Sequence, residues 1–171
     1  LNYFIFNLHI SNNSYVAKIQ NIVQTLASMT AELLEIGPDF YIIGASAMIL
    51  SDIEIGETSD IDILTTEMNS LKLQCSLKAY MEIAPETKED GLFSSNFARF
   101  NLPLMDVEVM GNLQIKKNNV WQFVYVQEYR EIFIGDLIIR IPTMEEQKRI
   151  LSLFGREKDL KRILVLNQYL S

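Results

Sequence analysis

Cysteine is nearly missing from this chain of 171 residues, where Cys75 stands alone. A single cysteine permits no intramolecular disulfide and no cysteine zinc cluster. Histidine is equally scarce, with only His9 near the start. That excludes a histidine-rich metal centre and argues against a Ser-His-Asp triad. No apolar run reaches the roughly 18 residues that cross a bilayer as a helix, so no membrane partner is expected. The opening stretch LNYFIFNLHISNN is apolar but has neither a basic leader nor a small-residue cleavage site, so it does not read as a signal peptide. Walker and dinucleotide fingerprints are absent. So are internal repeats and low-complexity linkers. Positive charge is also in short supply, with 15 Lys and Arg against 22 Asp and Glu and a net charge of -7. An acidic body is poorly suited to track a nucleic-acid backbone unaided, so nucleic acid is the less favoured partner. The same charge suits a site that holds divalent cations. Cytoplasmic localisation is the simplest expectation.

What is present is ample apolar material. Hydrophobic residues make up 49% and charged residues 22%, the composition of a folded chain with a core that needs no staples. The length fits one domain over residues 1–171. Residues 14–36 place Val16, Ile19, Ile22, Val23, Leu26, Met29, Leu33 and Leu34 at helical spacing, with Ser14 as N-cap and Gly37-Pro38 as stop. FYIIG reads as a buried strand, ASAMILSDI as a turn into a short helix, and IDILT as a second strand. Residues 67–84 read as a helix and PETKEDG as a polar loop. Phe93 to Met110 reads as two strands with a turn near Asn101 to Pro103. VWQFVYV and LIIRIP add strands. Pro142 then opens a helical pair over about 143–171, divided at Gly155. The order predicts an α+β (mixed α/β) fold, with a mixed sheet flanked by helices and a C-terminal helical pair.

The chemistry gathers at TSDIDIL. Alternate strand residues share a face, so Asp60 and Asp62 project together while Ile61 and Ile63 point into the core. Two parallel carboxylates repel each other and resist burial. A divalent cation between them removes both costs, and Mg²⁺ is held by one or two carboxylates plus substrate phosphates. Taken alone, such a pair is more often a solvated strand face. Its context changes the odds. Upstream, YIIGASAMIL ends a strand at Gly44, and Ala45 and Ser46 open the next helix. A glycine there allows a tight turn and close backbone approach to a ligand, and helix-opening N–H groups suit phosphate. Further on, Asp106 and Glu108 in LMDVEVMG again share a face, and spacing does not separate them.

The strand–Gly turn followed by the Asp-Ile-Asp strand resembles the polymerase-β-like nucleotidyltransferase superfamily, and VEVMGN resembles a segment of its small bacterial members. IPTMEEQKRILSLFGREKD resembles the tail of those proteins, so the likeness runs from about residue 40 to 165. The resemblance implies a nucleotidyltransferase fold, a nucleoside triphosphate (NTP) as donor and two Mg²⁺ ions. One ion would be held by Asp60, Asp62 and Glu108 and would activate the acceptor hydroxyl. The other, on Asp60 and Asp62, would bind the triphosphate. The string VEVMGN favours Glu108 as third acid, with Asp106 as the alternative. Ala45 departs from the family's Ser or Gly, and Ser46 stands one place late.

Gly44, Ala45, Ser46, Ser59, Arg156 and Lys158 are the candidate nucleotide-binding residues. For Ser59 and Thr58 a capping role at the strand entry is the stronger reading. Arg156, Lys158 and Lys161 also fit a solvated helix face with a Glu157–Lys161 pair. Arg99 either pairs with a neighbouring acid or contacts substrate. Trp121, Phe123 and Tyr125 alternate as sheet-packing residues. The expected activity is Mg-dependent transfer of a nucleoside monophosphate, from ATP or another NTP, to a small-molecule or protein hydroxyl. A protein partner or a homodimer is the expected means of completing the acceptor site. The alternative is a nucleotidyltransferase-fold antitoxin or binding partner with weak or no catalysis, as in two-gene toxin–antitoxin systems.

Overall fold

The computed structural model describes residues 13–56, 58–89 and 91–170, and of residues 83–89 the backbone only. His9 and the apolar opening stretch lie outside the described residues.

The amphipathic N-terminal run forms two helices, α1 (Asn13–Ser28) and α2 (Thr30–Ile36), rather than one. The break falls at Met29, which leaves helical geometry at φ -102° and ψ 14°. The run begins at Asn13, so Ser14 lies inside α1 and does not cap it. Strand β1 (Phe40–Ile43) follows, then the short helix α3 (Gly44–Ile49) and strand β2 (Asp60–Thr65). The sheet is mixed. β1 lies antiparallel to β2, and β2 lies parallel to β5 (Asp106–Lys117). β4 (Phe93–Asn101) and β3 (Met81–Glu89) continue it antiparallel, and β6 (Val120–Phe123) pairs with β5.

One face of this sheet carries Ile61, Ile63, Val107, Val109, Ala98 and Phe100 into the main core, where α1 and α2 contribute Ile22, Leu26 and Leu33. The opposite face is acidic at Asp60 and Asp62 and apolar from Leu64 onward. There it is covered by Ile150 and Phe154 of helix α5 (Met144–Phe154). Helix α6 (Glu157–Tyr169) packs beside α5 through Leu166, and Gly155, in left-handed geometry at φ 67°, divides the two.

Three sequence expectations are corrected. The helix expected over 67–84 ends early: α4 (Glu67–Ser76) gives way to a 3₁₀ turn and then to β3. Met81 pairs with Phe100, and that ladder outcompetes further helix. The expected loop PETKEDG is largely strand, because residues 86–89 pair with β4. Charges and a proline belong on an edge strand, and Pro85 falls within its register shift. VWQFVYV leaves the sheet after Phe123, and an unanticipated strand, β7 (Tyr129–Ile134), forms a separate ladder with β8 (Leu137–Pro142). Among the described residues no helix is long and apolar enough to cross a membrane.

Candidate active site

Parallel pairing of β2 and β5 builds the site. The register sets Asp60 opposite Asp106 and Asp62 opposite Glu108. Neighbouring strands run about 4.8 Å apart, so the four carboxylates share one face at the start of these two central strands. An open cleft of about 160 Å³ lies over it. Its polar side is formed by Asp60, Asp62, Glu108, Arg156, Lys158 and Arg162, beside Gly44. Phe93, Phe97, Met110 and Phe154 make its apolar side.

Glu108 and Asp106 part company here. Glu108 lines the cleft, whereas Asp106 lies outside its lining. Arg99 on β4 takes up the difference. Its Nη2 donates to Asp106 Oδ2 at 2.8 Å, its Nη1 lies 3.6 Å from Glu108, and its Nε lies 3.4 Å from Glu82. The Nε geometry is too poor for a hydrogen bond. Arg99 therefore pairs with acids and holds Asp106 most closely.

The VEVMGN string has a physical explanation. Val107 and Val109 enter the core, and Glu108 and Met110 face the cleft. Gly111 admits helix α4: a Cβ there would come within 2.7 Å of Ser70 Cβ and 2.9 Å of the Glu67 Cα. Asn112 adopts φ 53°, and its Oδ1 accepts the Glu67 backbone N–H at 3.2 Å. The resulting bulge keeps Leu113 on the cleft side.

At the end of β1, Gly44 sits at φ 68°, and a Cβ there would collide with Asp62 Oδ2. The Asp62 carboxyl is thus packed against bare backbone. Burial, then the Asp60 and Glu108 charges, push it up to about 7 from 3.8, with Arg162 and Lys158 pulling the other way.

The remaining candidates divide. Arg156 and Lys158 line the cleft. Ala45 and Ser46 are buried, and the Ser46 hydroxyl donates to the Asp60 carbonyl at 2.8 Å. β1 stops opposite Asp62, so the Asp60 carbonyl is served by hydroxyls, with Thr58 donating a second at 3.1 Å. Neither Ala45 nor Ser46 is among the residues that line the cleft. Ser59 is exposed at the strand entry, outside the cleft lining, and its carbonyl accepts the Asp106 N–H at 3.3 Å. Lys161 pairs with Glu157 at 2.7 Å on the solvated face. Phe123 and Tyr125 do not pack into the sheet but stand 48% and 64% exposed. Sequence reasoning passed over Arg162. The signal was its place one helical turn beyond Lys158.

The donor set suits a divalent cation. It is all oxygen, the Gly44 cradle leaves room for Asp62, and the like charges crowded around Asp62 gain from neutralisation. Among the described residues no group of three or more acidic, histidine or cysteine side chains is arranged to hold a metal ion by itself. Mg²⁺ does not need one, because it keeps waters and substrate phosphates as ligands.

No protein-family profile and no curated protein matches the sequence. Solved structures do. A candidate nucleotidyltransferase, TM1012 from Thermotoga maritima, aligns over 96% of this chain and 98% of its own at TM-score 0.66 and 17% identity. The chain has the nucleotidyltransferase fold. An antigenic nucleotidyltransferase-like protein from Paracoccidioides brasiliensis aligns over 86% of this chain and 75% of its own, at TM-score 0.50 and 16% identity. ANT(2'')-Ia, in complex with adenylyl-2''-tobramycin, aligns over 87% of this chain and 89% of its own at TM-score 0.52 and 10% identity. The α+β architecture expected from the element order is the one these neighbours share.

Proposed function

We propose that this protein is a Mg²⁺-dependent nucleotidyltransferase that moves a nucleoside monophosphate from an NTP to the hydroxyl of a small molecule or protein. One observation carries this reading: Asp60, Asp62 and Glu108 converge on one cleft beside Gly44 and face Lys158 and Arg162. In the transfer, the acceptor oxygen bonds to the α-phosphorus, its proton passes to solvent, and the bond from the α-phosphorus to the α–β bridging oxygen breaks, with pyrophosphate leaving. A bound divalent cation supplies charge neutralisation and lowers the pKa of a coordinated hydroxyl. Asp60, Asp62 and Glu108 are the side chains that would hold it. Lys158 and Arg162 would stabilise charge on the phosphates through charge-assisted hydrogen bonds. The acidic surroundings favour a small or protein acceptor over nucleic acid. The adenylylated small molecule bound by ANT(2'')-Ia supports the same acceptor class.

Calorimetric titration with ATP in Mg²⁺ tests the reading, followed by incubation with each labelled NTP and candidate acceptors. Wild-type binding that disappears in the Asp60→Ala, Asp62→Ala double variant supports it. Absence of binding in the wild type, or equal binding by both, rejects it. A second reading, a nucleotidyltransferase-fold binding partner without catalysis, is favoured by the Ser46 hydroxyl being committed to the Asp60 carbonyl. Under that reading nucleotide binds and no label is transferred to any acceptor.

A further inference from the structure

Arg156 lines the cleft but is bound up differently from its basic neighbours. Its Nε and Nη2 donate to the two oxygens of Asp159 at 2.7 and 3.0 Å, and its own backbone N–H donates to the same carboxylate at 3.1 Å. Asp159 is completely buried, so its hydrogen bonds hold the guanidinium in one orientation, while the Arg156 side chain stays 35% exposed. The plane lies over two aromatic rings, 4.9 Å from the Phe93 centroid and 5.4 Å from that of Phe154. The two rings meet edge to face at 5.0 Å and 90°. An arginine so neutralised offers a ligand mainly a flat face rather than a free charge. Lys158 and Arg162 differ in kind: both act on the Asp62 carboxylate, whereas Arg156 is not among the charges that move it. The cleft is thus polarised, with the carboxylates and the Lys158 and Arg162 charges on one side and the flat Arg156 wall on the other.

We propose that Arg156, Phe93 and Phe154 form a slot that stacks on the base of the nucleoside triphosphate, with Asp159 as the positioning residue that holds the Arg156 plane. The proposal rests on the nucleotidyl-transfer reading and extends it by dividing the nucleotide between two walls. Bases stack on guanidinium planes and aromatic rings alike, and such stacking is tolerant of base identity because every base has a π-face. The slot therefore grips NTPs as a class.

The test compares ATP with inorganic tripolyphosphate, both titrated calorimetrically in Mg²⁺. Wild type binds ATP more tightly than tripolyphosphate. Phe93→Ala weakens ATP binding by about tenfold, the order expected for one lost stacking partner, and leaves tripolyphosphate binding within about twofold. Retained tripolyphosphate binding also shows that the variant is folded. Should Phe93→Ala not fold, Phe93→Leu keeps bulk without the π-face and is expected to show the same selective loss, while Phe93→Tyr restores ATP affinity. Asp159→Asn is expected to weaken ATP selectively in the same way, whereas a merely structural Asp159 would lower stability and both affinities together. Three results overturn the slot and leave nucleotidyl transfer standing: equal wild-type affinity for the two ligands, ATP affinity indifferent to Phe93, or Arg156→Ala weakening tripolyphosphate as much as ATP. A wild type that binds neither ligand rejects the underlying reading and the slot with it.

Discussion

Asp62 enters the folded state with its carboxyl pushed up to about 7, by burial first and by Asp60 and Glu108 after it. Below about pH 4 the group is neutral in folded and unfolded chains alike. Between about 4 and 7 the unfolded chain has given up the proton that the native chain keeps, so stability falls as pH rises through that window. Above about 7 the penalty is constant. Asp62→Asn removes it, and the variant is expected to melt a few degrees above wild type at pH 8, with the gap closing toward pH 4. Thermal melts across that range in metal-free buffer check this, and a variant less stable at pH 8 would contradict it. Gly44 works beside it. Its φ of 68° disfavours any side chain, and a Cβ would strike the Asp62 carboxylate. Gly44→Ala is expected to cost about 2 kcal/mol in urea denaturation, from backbone strain plus overpacking. A cost under about 0.5 kcal/mol would mean that the turn relaxes freely.

At the scale of elements, the segment after β6 is pinned to α5 by one buried carboxylate. Glu146 accepts the Gln127 N–H at 2.7 Å and Arg149 Nε and Nη2 at 2.7 and 2.8 Å, and Arg149 also donates to the Tyr125 carbonyl at 2.6 Å. Burial pushes the Glu146 carboxyl up, but Arg149 and the Gln127 amide outweigh it and hold the group below its usual 4.5. A depressed carboxyl stabilises the fold above its unfolded value, and that contribution is lost as pH falls through the folded one. Glu146→Gln is therefore expected to lose about 1–2 kcal/mol at pH 7 and much less at pH 3. Chemical denaturation at the two values measures the difference, and an equal loss at both would show that the charge is irrelevant. The same scale explains the misread elements. α4 stops and β3 starts because Met81 finds Phe100 on another strand. Nothing within the Lys78–Glu89 stretch signals that partner.

Across the whole molecule, an acidic body of net charge -7 brings its α6 cations to the one site where carboxylates crowd. Arg162 and Lys158 reach that site because Gly155 ends α5 and Leu166 anchors α6 beside it in the core. Arg162→Ala is expected to weaken ATP and tripolyphosphate binding alike, by about tenfold, and to flatten the dependence of affinity on salt. Calorimetry at low and high ionic strength checks both features. An affinity unchanged at low salt would remove Arg162 from the phosphate end of the cleft.

Alternation along TSDIDIL fixes that Asp60 and Asp62 share a face, and helical spacing and glycine positions place α3, α5 and α6. These follow from backbone geometry, which acts over a few residues. Spacing leaves Glu108 and Asp106 equivalent, the VEVMGN resemblance favours Glu108, and the tertiary structure supplies the physical difference. The spacing is identical for both, and the difference lies in the parallel register with β2 and in Arg99 drawing Asp106 aside. It also decides that the Ser46 hydroxyl serves the Asp60 carbonyl and that Arg162 joins the cleft. Electrostatic and hydrogen-bond partners are set by distance in space: Arg99 and Asp106 stand 7 residues apart along the chain and Ser46 and Asp60 stand 14 apart, and each pair meets because the fold brings its elements together.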